Sequence, residues 1–209
     1  MNSNNIAINT HSSIRIEGSR ILYIDPFQIK AEPHDADLIL ITHSHFDHLD
    51  PESIAGIVRE NTVFVAPESI REEAEKIFSG HAAVFVQPGD EKEAAGIRFR
   101  ALPAYNKLKP FHPKHNRWVG YLITMDQTSY YIAGDTDAVK ELTDLTCDIA
   151  LVPVGGKYTM TAQEAAKLVN HISPAVAIPT HYGSVVGNGK EGEIFRGLLN
   201  KSIKVEILL

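Results

Sequence analysis

The sequence predicts a layered α/β or α+β sandwich, and three observations point to it. Short β-rich runs alternate with amphipathic segments along 209 residues. Both hairpin-length and crossover-length gaps separate the runs, so antiparallel and parallel pairings are both expected. A hydrophobic content of 44% supplies enough apolar side chains for a substantial core. No linker rich in Ser, Gly or Pro divides the chain, and residues 1–209 are expected to form one domain.

The β-rich runs come in order as IAIN (6–9), IRIE (14–17), ILYI (21–24), LILI (38–41), VFVA (63–66), AVFV (83–86) and IRFRAL (97–102). WVGYLITM (118–125), SYYIA (129–133), IALVPV (149–154), VAIP (176–179) and IKVEIL (203–208) complete the set. LILI and VFVA lack alternation and read as strands buried on both faces. About five helices are expected between the strands. Asp50 caps the segment PESIAGIVRE, with Pro51 at its first position. A second PESI opens a helix at Pro67, with Ile70, Ala74, Ile77 and Phe78 on one apolar face. Thr161 and Glu164 form a capping-box pattern ahead of Ala162, Ala165, Ala166 and Val169. Ile194, Phe195, Leu198 and Leu199 mark a final helix.

Composition narrows the function. The net charge is −6 with the cations dispersed, so nucleic acid is not an expected partner. The polar start, MNSNNIAINT, lacks the pattern of a secretory signal, and no apolar run is long enough to span a membrane. The single cysteine, Cys147, fits a reducing, cytoplasmic setting and reads as a small buried hydrophobe. A small-molecule substrate is the expected partner, with homo-oligomerisation left open.

The chemistry concentrates where strands end. LILI runs directly into THSHFDH (42–48), which places His43, His45, Asp47 and His48 within six positions. In an extended chain His43 and His45 point to one side, and a turn at Phe46 swings Asp47 and His48 toward a second point nearby. Imidazole and carboxylate are the ligands of borderline metals such as Zn²⁺. SYYIA ends in Gly134 and then presents Asp135, while VAIPT ends in His181. Each repeats the same pattern of a strand followed by one ligand.

At this point the sequence resembles the metallo-β-lactamase superfamily, whose first motif has the form HxHxDH. The resemblance runs through IDPF (24–27), THSHFDH, PAYN (103–106), AGDTD (133–137), GGKYTM (155–160) and PTHYG (179–183). It is nearest to the small metal-dependent hydrolases that include ascorbate-6-phosphate-lactonase-like proteins. The resemblance implies a four-layer αββα sandwich with a dinuclear metal site along one edge. It implies that His43 and His45 bind a first metal, that Asp47, His48 and His181 bind a second, and that Asp135 bridges the two. Zn²⁺ is the expected ion, one or two per chain, with Mn²⁺ or Fe²⁺ as alternatives. Asp25 in IDPF is expected to orient a ligand histidine.

One position departs from the pattern. Where the superfamily has a histidine after a middle strand, this chain has Asn106, a poor zinc ligand. Three outcomes are open: a weakened first site, completion by Asn106 or a water, or completion by His112 reaching back. On the first of these, replacing Asn106 with His should raise metal affinity. The segment KLKPFHPKHNR (107–117) is locally cationic and could attract an anionic substrate. His112, His115, Lys157 and Tyr158 are the candidate substrate contacts.

A metal-bound water gives a nucleophile at neutral pH, and Asp47 is positioned by sequence to orient it or to carry its proton. The expected activity is metal-dependent hydrolysis of a small, anionic ester, lactone or phosphodiester. A nuclease of the same superfamily is the alternative enzyme. A non-catalytic metal-binding or sensing protein is the alternative outside enzymology, with Asn106 as its motive.

Overall fold

The computed structural model describes residues 3–209. Met1 and Asn2, at the polar start of the chain, lie outside the described residues. Two mixed sheets face each other. The first is built from β1 (Ile6–Thr10), β2 (Ser13–Glu17), β3 (Ile21–Ile24), β4 (Leu38–Leu40), β5 (Val63–Pro67) and β6 (Ala82–Val86), in that spatial order. The second contains β7 (Glu91–Ala94), β8 (Ile97–Pro103), β9 (Val119–Met125) and β10 (Thr128–Ile132). It continues through β11 (Ile149–Pro153) and β12 (Val176–Thr180) to β13 (Lys204–Val205), again with spatial neighbours in chain order. Each sheet begins as an antiparallel meander and ends in parallel strands, the change falling at β3–β4 and at β10–β11.

Helices α1 (Pro51–Ile57), α2 (Arg71–Ile77), α3 (Ala162–Ile172) and α4 (Glu191–Leu198) form the outer layers. Side-chain alternation explains the layering. Leu38 and Leu40 enter the core between the sheets, while Ile39 and Ile41 pack outward with Ile54 and Ile57 of α1 and Ala74 of α2. LILI therefore meets apolar surface on both sides, as its lack of alternation predicts. On the far side, α3 presents Ala165, Ala166 and Val169 to Ala150, Val152 and Ala177. The Thr161–Glu164 capping box is formed in full. The arrangement is an αββα sandwich.

Several elements differ from their expectations. β7 reads EKEA, three exposed charged residues and a buried Ala94, so its sequence carries no strand pattern. It survives as an edge strand through a tight hairpin in which Ala95 (φ 50°) and Gly96 (φ 78°) both adopt left-handed backbone. α1 stops at Ile57 because Val58 turns to extended backbone, three residues short of the expected end. The segment from Pro67 begins with a 3₁₀ turn before α2, and the expected last strand shrinks to two residues. There are four α-helices among the described residues rather than about five. In α4 only Phe195 of the expected apolar set is fully buried; Ile194 and Leu198 are exposed. Cys147 is half-buried beside the α3 layer, and burial pushes its thiol up to about 12, which suits a packing role. Among the described residues no helix is long and apolar enough to cross a membrane.

Candidate metal centre

The parallel strands β4, β10, β11 and β12 end at one edge, where ligand-bearing loops of α/β proteins gather. The two sheets are tied together there. Val119 N–H donates to Thr42 O at 3.2 Å. The fully buried Tyr121 hydroxyl donates to Ile41 O at 2.6 Å. These bonds hold the start of THSHFDH against the second sheet. The loop then turns as predicted at Phe46, with His48 and Leu49 N–H both donating to His45 O at 2.9 Å.

Three groups of side chains converge on this edge. His43, His45 and His112 form one, His11, Asp47, His48 and His181 a second, and His43, His48 and Asp135 a third that lies between them. Within each group one donor atom per residue falls within 4.8 Å of the others. Asp135 is central: its carboxylate stands 2.9 Å from His181 Nε2, 3.1 Å from His112 Nε2 and 3.4 Å from His48 Nε2. Asp47 Oδ2 lies 3.2 Å from His11 Nε2 and 3.8 Å from His48 Nε2. Every member except His45 is buried.

Buried polar atoms ordinarily have hydrogen-bond partners. Here the Nε2 atoms of His11, His48, His112 and His181 and Oδ1 of Asp135 have none. So many unsatisfied nitrogen and oxygen donors aimed at one another make a poor core but a suitable cage for divalent cations. The residues present fit such an ion.

Backing interactions set which nitrogen faces the cage. Asp25, at φ 47°, receives Thr42 N–H at 2.8 Å and Thr42 Oγ1–H at 2.7 Å. It also accepts from His48 Nδ1 at 2.7 Å, which leaves Nε2 of that ring toward Asp47 and Asp135. Asn106 plays the matching part for His112. Its Nδ2 donates to Tyr158 O (2.9 Å) and Asp137 Oδ1 (3.2 Å), so its Oδ1 must be the atom 3.0 Å from His112 Nδ1. The ring proton sits on Nδ1, and Nε2 is free to face the cage.

Charge follows from burial. His43 is held well below its ordinary value by burial, and His45 and His11 are lowered for the same reason, so all three are neutral at pH 7. His48 goes the other way. Burial opposes its charge, but Asp135, Asp25 and Asp47 outweigh it and raise the imidazole to about 9. Asp135 stays ionised despite burial because His181 and His48 hold its carboxyl well below the usual range.

His43, His45, Asp47, His48, Asp135 and His181 all meet at this edge, with Asp25 directly behind His48. The structure places Asn106 and His112 differently from a direct substitution of one ligand for another. β8 ends at Pro103, and the Asn106 amide is consumed by its own hydrogen bonds, while His112 occupies the position beside His43 and His45. His115 is exposed in a short 3₁₀ turn and belongs to none of the clusters. Lys157 is exposed over the Tyr158 ring, and Tyr158 meets Phe111 edge-on at 4.7 Å. Two residues escaped the sequence reading. His11 lies in the β1–β2 hairpin at φ 54°; the signal available was the same one that marks His181, a strand followed at once by histidine. Trp118 packs against His43 and His45 at ring distances of 4.8 and 4.9 Å, and nothing in its local sequence announces it.

Facing mixed sheets, outer helices and a His/Asp cluster at one edge define the metallo-β-lactamase class of fold. A family model described as a beta-lactamase superfamily domain matches residues 5–181. A UPF0173 metal-dependent hydrolase of Pyrococcus abyssi is 32% identical, covering 95% of this chain and 93% of its own. The one from Thermoplasma acidophilum is 33% identical over 83% and 81%. A Parabacteroides distasonis crystal structure, described as a metal-dependent hydrolase, superposes with a TM-score of 0.80 at 34% identity, covering 97% and 91%. The metallo hydrolase Igni18 of Ignicoccus hospitalis shares the fold, with a TM-score of 0.74 at 23% identity over 97% and 93%. The chain belongs to the β-lactamase superfamily and, within it, to the UPF0173 metal-dependent hydrolases.

Proposed function

We propose that the edge cluster holds two divalent ions and hydrolyses a small ester, lactone or phosphodiester. His43, His45 and His112 would hold the first ion. His11, Asp47, His48 and His181 would hold the second, with Asp135 between them. The observation that carries this reading is the set of buried, partnerless donor atoms facing one another. Zn²⁺ suits the imidazole-rich set best, with Mn²⁺ and Fe²⁺ as alternatives. When bound, such ions supply Lewis acidity toward a water and toward the oxygen under attack.

The chain's own residues then divide the remaining work. Asp25 fixes the His48 ring through Nδ1, and Asn106 fixes His112 in the same way. Asp47 remains ionised: burial works against it, but His11, its Nε2 3.2 Å away, and the charge of His48 lower its pKa. Its Oδ2 can take a proton from the attacking water and return it to the leaving group. The alternative of a non-catalytic sensing protein drew on a vacancy at Asn106, and His112 lying beside His43 and His45 favours the hydrolase over it.

Metal content of protein purified without chelator, measured by inductively coupled plasma mass spectrometry, tests the reading. Two ions per chain are expected, falling to at most one in Asp135→Asn. A wild-type chain that takes up no ion would overturn it.

A further inference from the structure

The loops around the cluster expose large apolar side chains. Phe46, between His45 and Asp47, is 68% exposed, and Leu108 in the loop leading to His112 is 97% exposed. Phe111, adjacent to His112, and Val185, four residues past His181, are also exposed. These are four of the seven large exposed hydrophobic residues among those described. They do not dangle. Phe46 sits in the hydrogen-bonded turn and meets Phe27 edge-on at 5.8 Å. The loop carrying Leu108 and Phe111 is closed by Asn106 N–H donating to His112 O at 2.7 Å, and Lys109 Nζ pins it to Asp137 and to Thr159 O.

Three of the four cations of the 107–117 segment are engaged within the protein, while Lys107 is exposed and bonds only through its backbone N–H, to Asp137. Lys109 pairs with Asp137 at 2.6 Å and Lys114 with Glu141 at 2.7 Å. Arg117 bonds Gln87, and Lys157 lies 4.9 Å from the centre of the Tyr158 ring.

Large apolar side chains exposed on the loops that carry the cluster are the kind of surface that receives a ligand. Phe46 and Phe111 adjoin His45, Asp47 and His112 in the chain, so a permanent protein cover over them would also close the cluster to any substrate. We propose that this rim receives the apolar part of the substrate, and that the chain hydrolyses uncharged esters or lactones bearing a hydrocarbon acyl chain. The inference rests on the hydrolase reading above. In the reaction water adds to the acyl carbon and the acyl C–O bond breaks. The alkoxide takes up the proton that the water gives up; an ester yields a carboxylic acid and an alcohol, and a lactone opens to one hydroxy acid.

The test is kcat/KM for metal-loaded protein on p-nitrophenyl esters from acetate to octanoate, below their micellar concentrations. Each methylene that reaches the rim should raise kcat/KM about fourfold. Leu108→Ser and Phe46→Ser should each flatten that slope; at 97% exposure, Leu108 can be changed without disturbing the core. Turnover that is indifferent to chain length, or an unaltered slope in both variants, overturns the proposal while leaving the hydrolase reading intact. If fully loaded protein hydrolyses none of these esters but does cleave bis(p-nitrophenyl) phosphate, the substrate class is wrong and the hydrolase stands. If it cleaves neither, both fall. Light scattering supplies a separate check: a dimer that Leu108→Ser converts to monomer would assign the rim to a second copy and overturn the proposal.

Discussion

Replacing Asn106 tests the proposal that His112, backed by Asn106, completes the first metal position. The Asn106 side chain is 6% exposed and makes four contacts: to His112 N–H, His112 Nδ1, Tyr158 O and Asp137 Oδ1. In Asn106→Ala all four go, and the His112 ring loses the acceptor that holds its proton on Nδ1. Loss of such a backing contact costs about 10–100-fold in metal affinity. At about 1 kcal/mol for each of these four hydrogen bonds, metal-free stability should fall by about 4 kcal/mol. Asn106→His is the sharper variant. If the position were simply a ligand turned into an amide, histidine would restore it and binding would tighten. In this structure His112 already stands there, and an imidazole at 106 removes its support, so binding should weaken. Competition against a chromophoric chelator gives the two affinities, and urea unfolding of the metal-free chain gives the stability. Tighter binding by Asn106→His, or unchanged affinity in Asn106→Ala, would refute the argument.

Three further outcomes are expected. In metal-free protein His48 is raised to about 9, so it carries a proton at neutral pH that an ion at Nε2 must displace. Affinity should therefore rise about tenfold per pH unit up to about pH 9, with about one proton released. Calorimetry in buffers of different ionisation enthalpy reads that proton, and flat affinity from pH 7 to 9 would count against the assignment. Trp118 is the only tryptophan in the chain and lies against His43, His45 and His112. Co²⁺ at that position should quench its fluorescence, and His112→Ala should reduce the quenching. Equal quenching in both proteins would put the ion elsewhere. Gly134, just before Asp135, has φ +62°, and a Cβ there would lie 3.0 Å from Val119 O and 3.1 Å from Thr42 Cβ. Gly134→Ala should cost about 1–3 kcal/mol of stability by urea unfolding, and no loss would mean that the turn relaxes freely.

The fold was legible because its strands carry their own evidence. LILI, IALVP and VAIPT are apolar without a break, and the Thr161 box declares its helix in four residues. β7 was hidden because an edge strand owes its existence to its partner, and EKEA looks no different from solvated loop. The cluster was legible where a ligand directly follows a buried strand, as at His43, Asp135 and His181. His112 was harder to place. It reaches the edge through a loop whose shape depends on Asn106, Lys109 and Asp137, contacts that span up to 31 positions in the chain. His11 shows the opposite case, a signal that was present in the sequence and passed over.

The loop between Asn106 and His112 carries two passengers at once. Leu108 and Phe111 face solvent at its crest, and His112 enters the cage at its end. On the proposed reading a ligand that settles the crest would also settle the ring, and free energy exchanged between two such sites runs equally in both directions. Occupancy of the cage at His112 and occupancy of the rim thus become linked equilibria. A chain emptied of its ion at that position should grip an apolar ligand less firmly, and a bound ligand should slow the ion's departure.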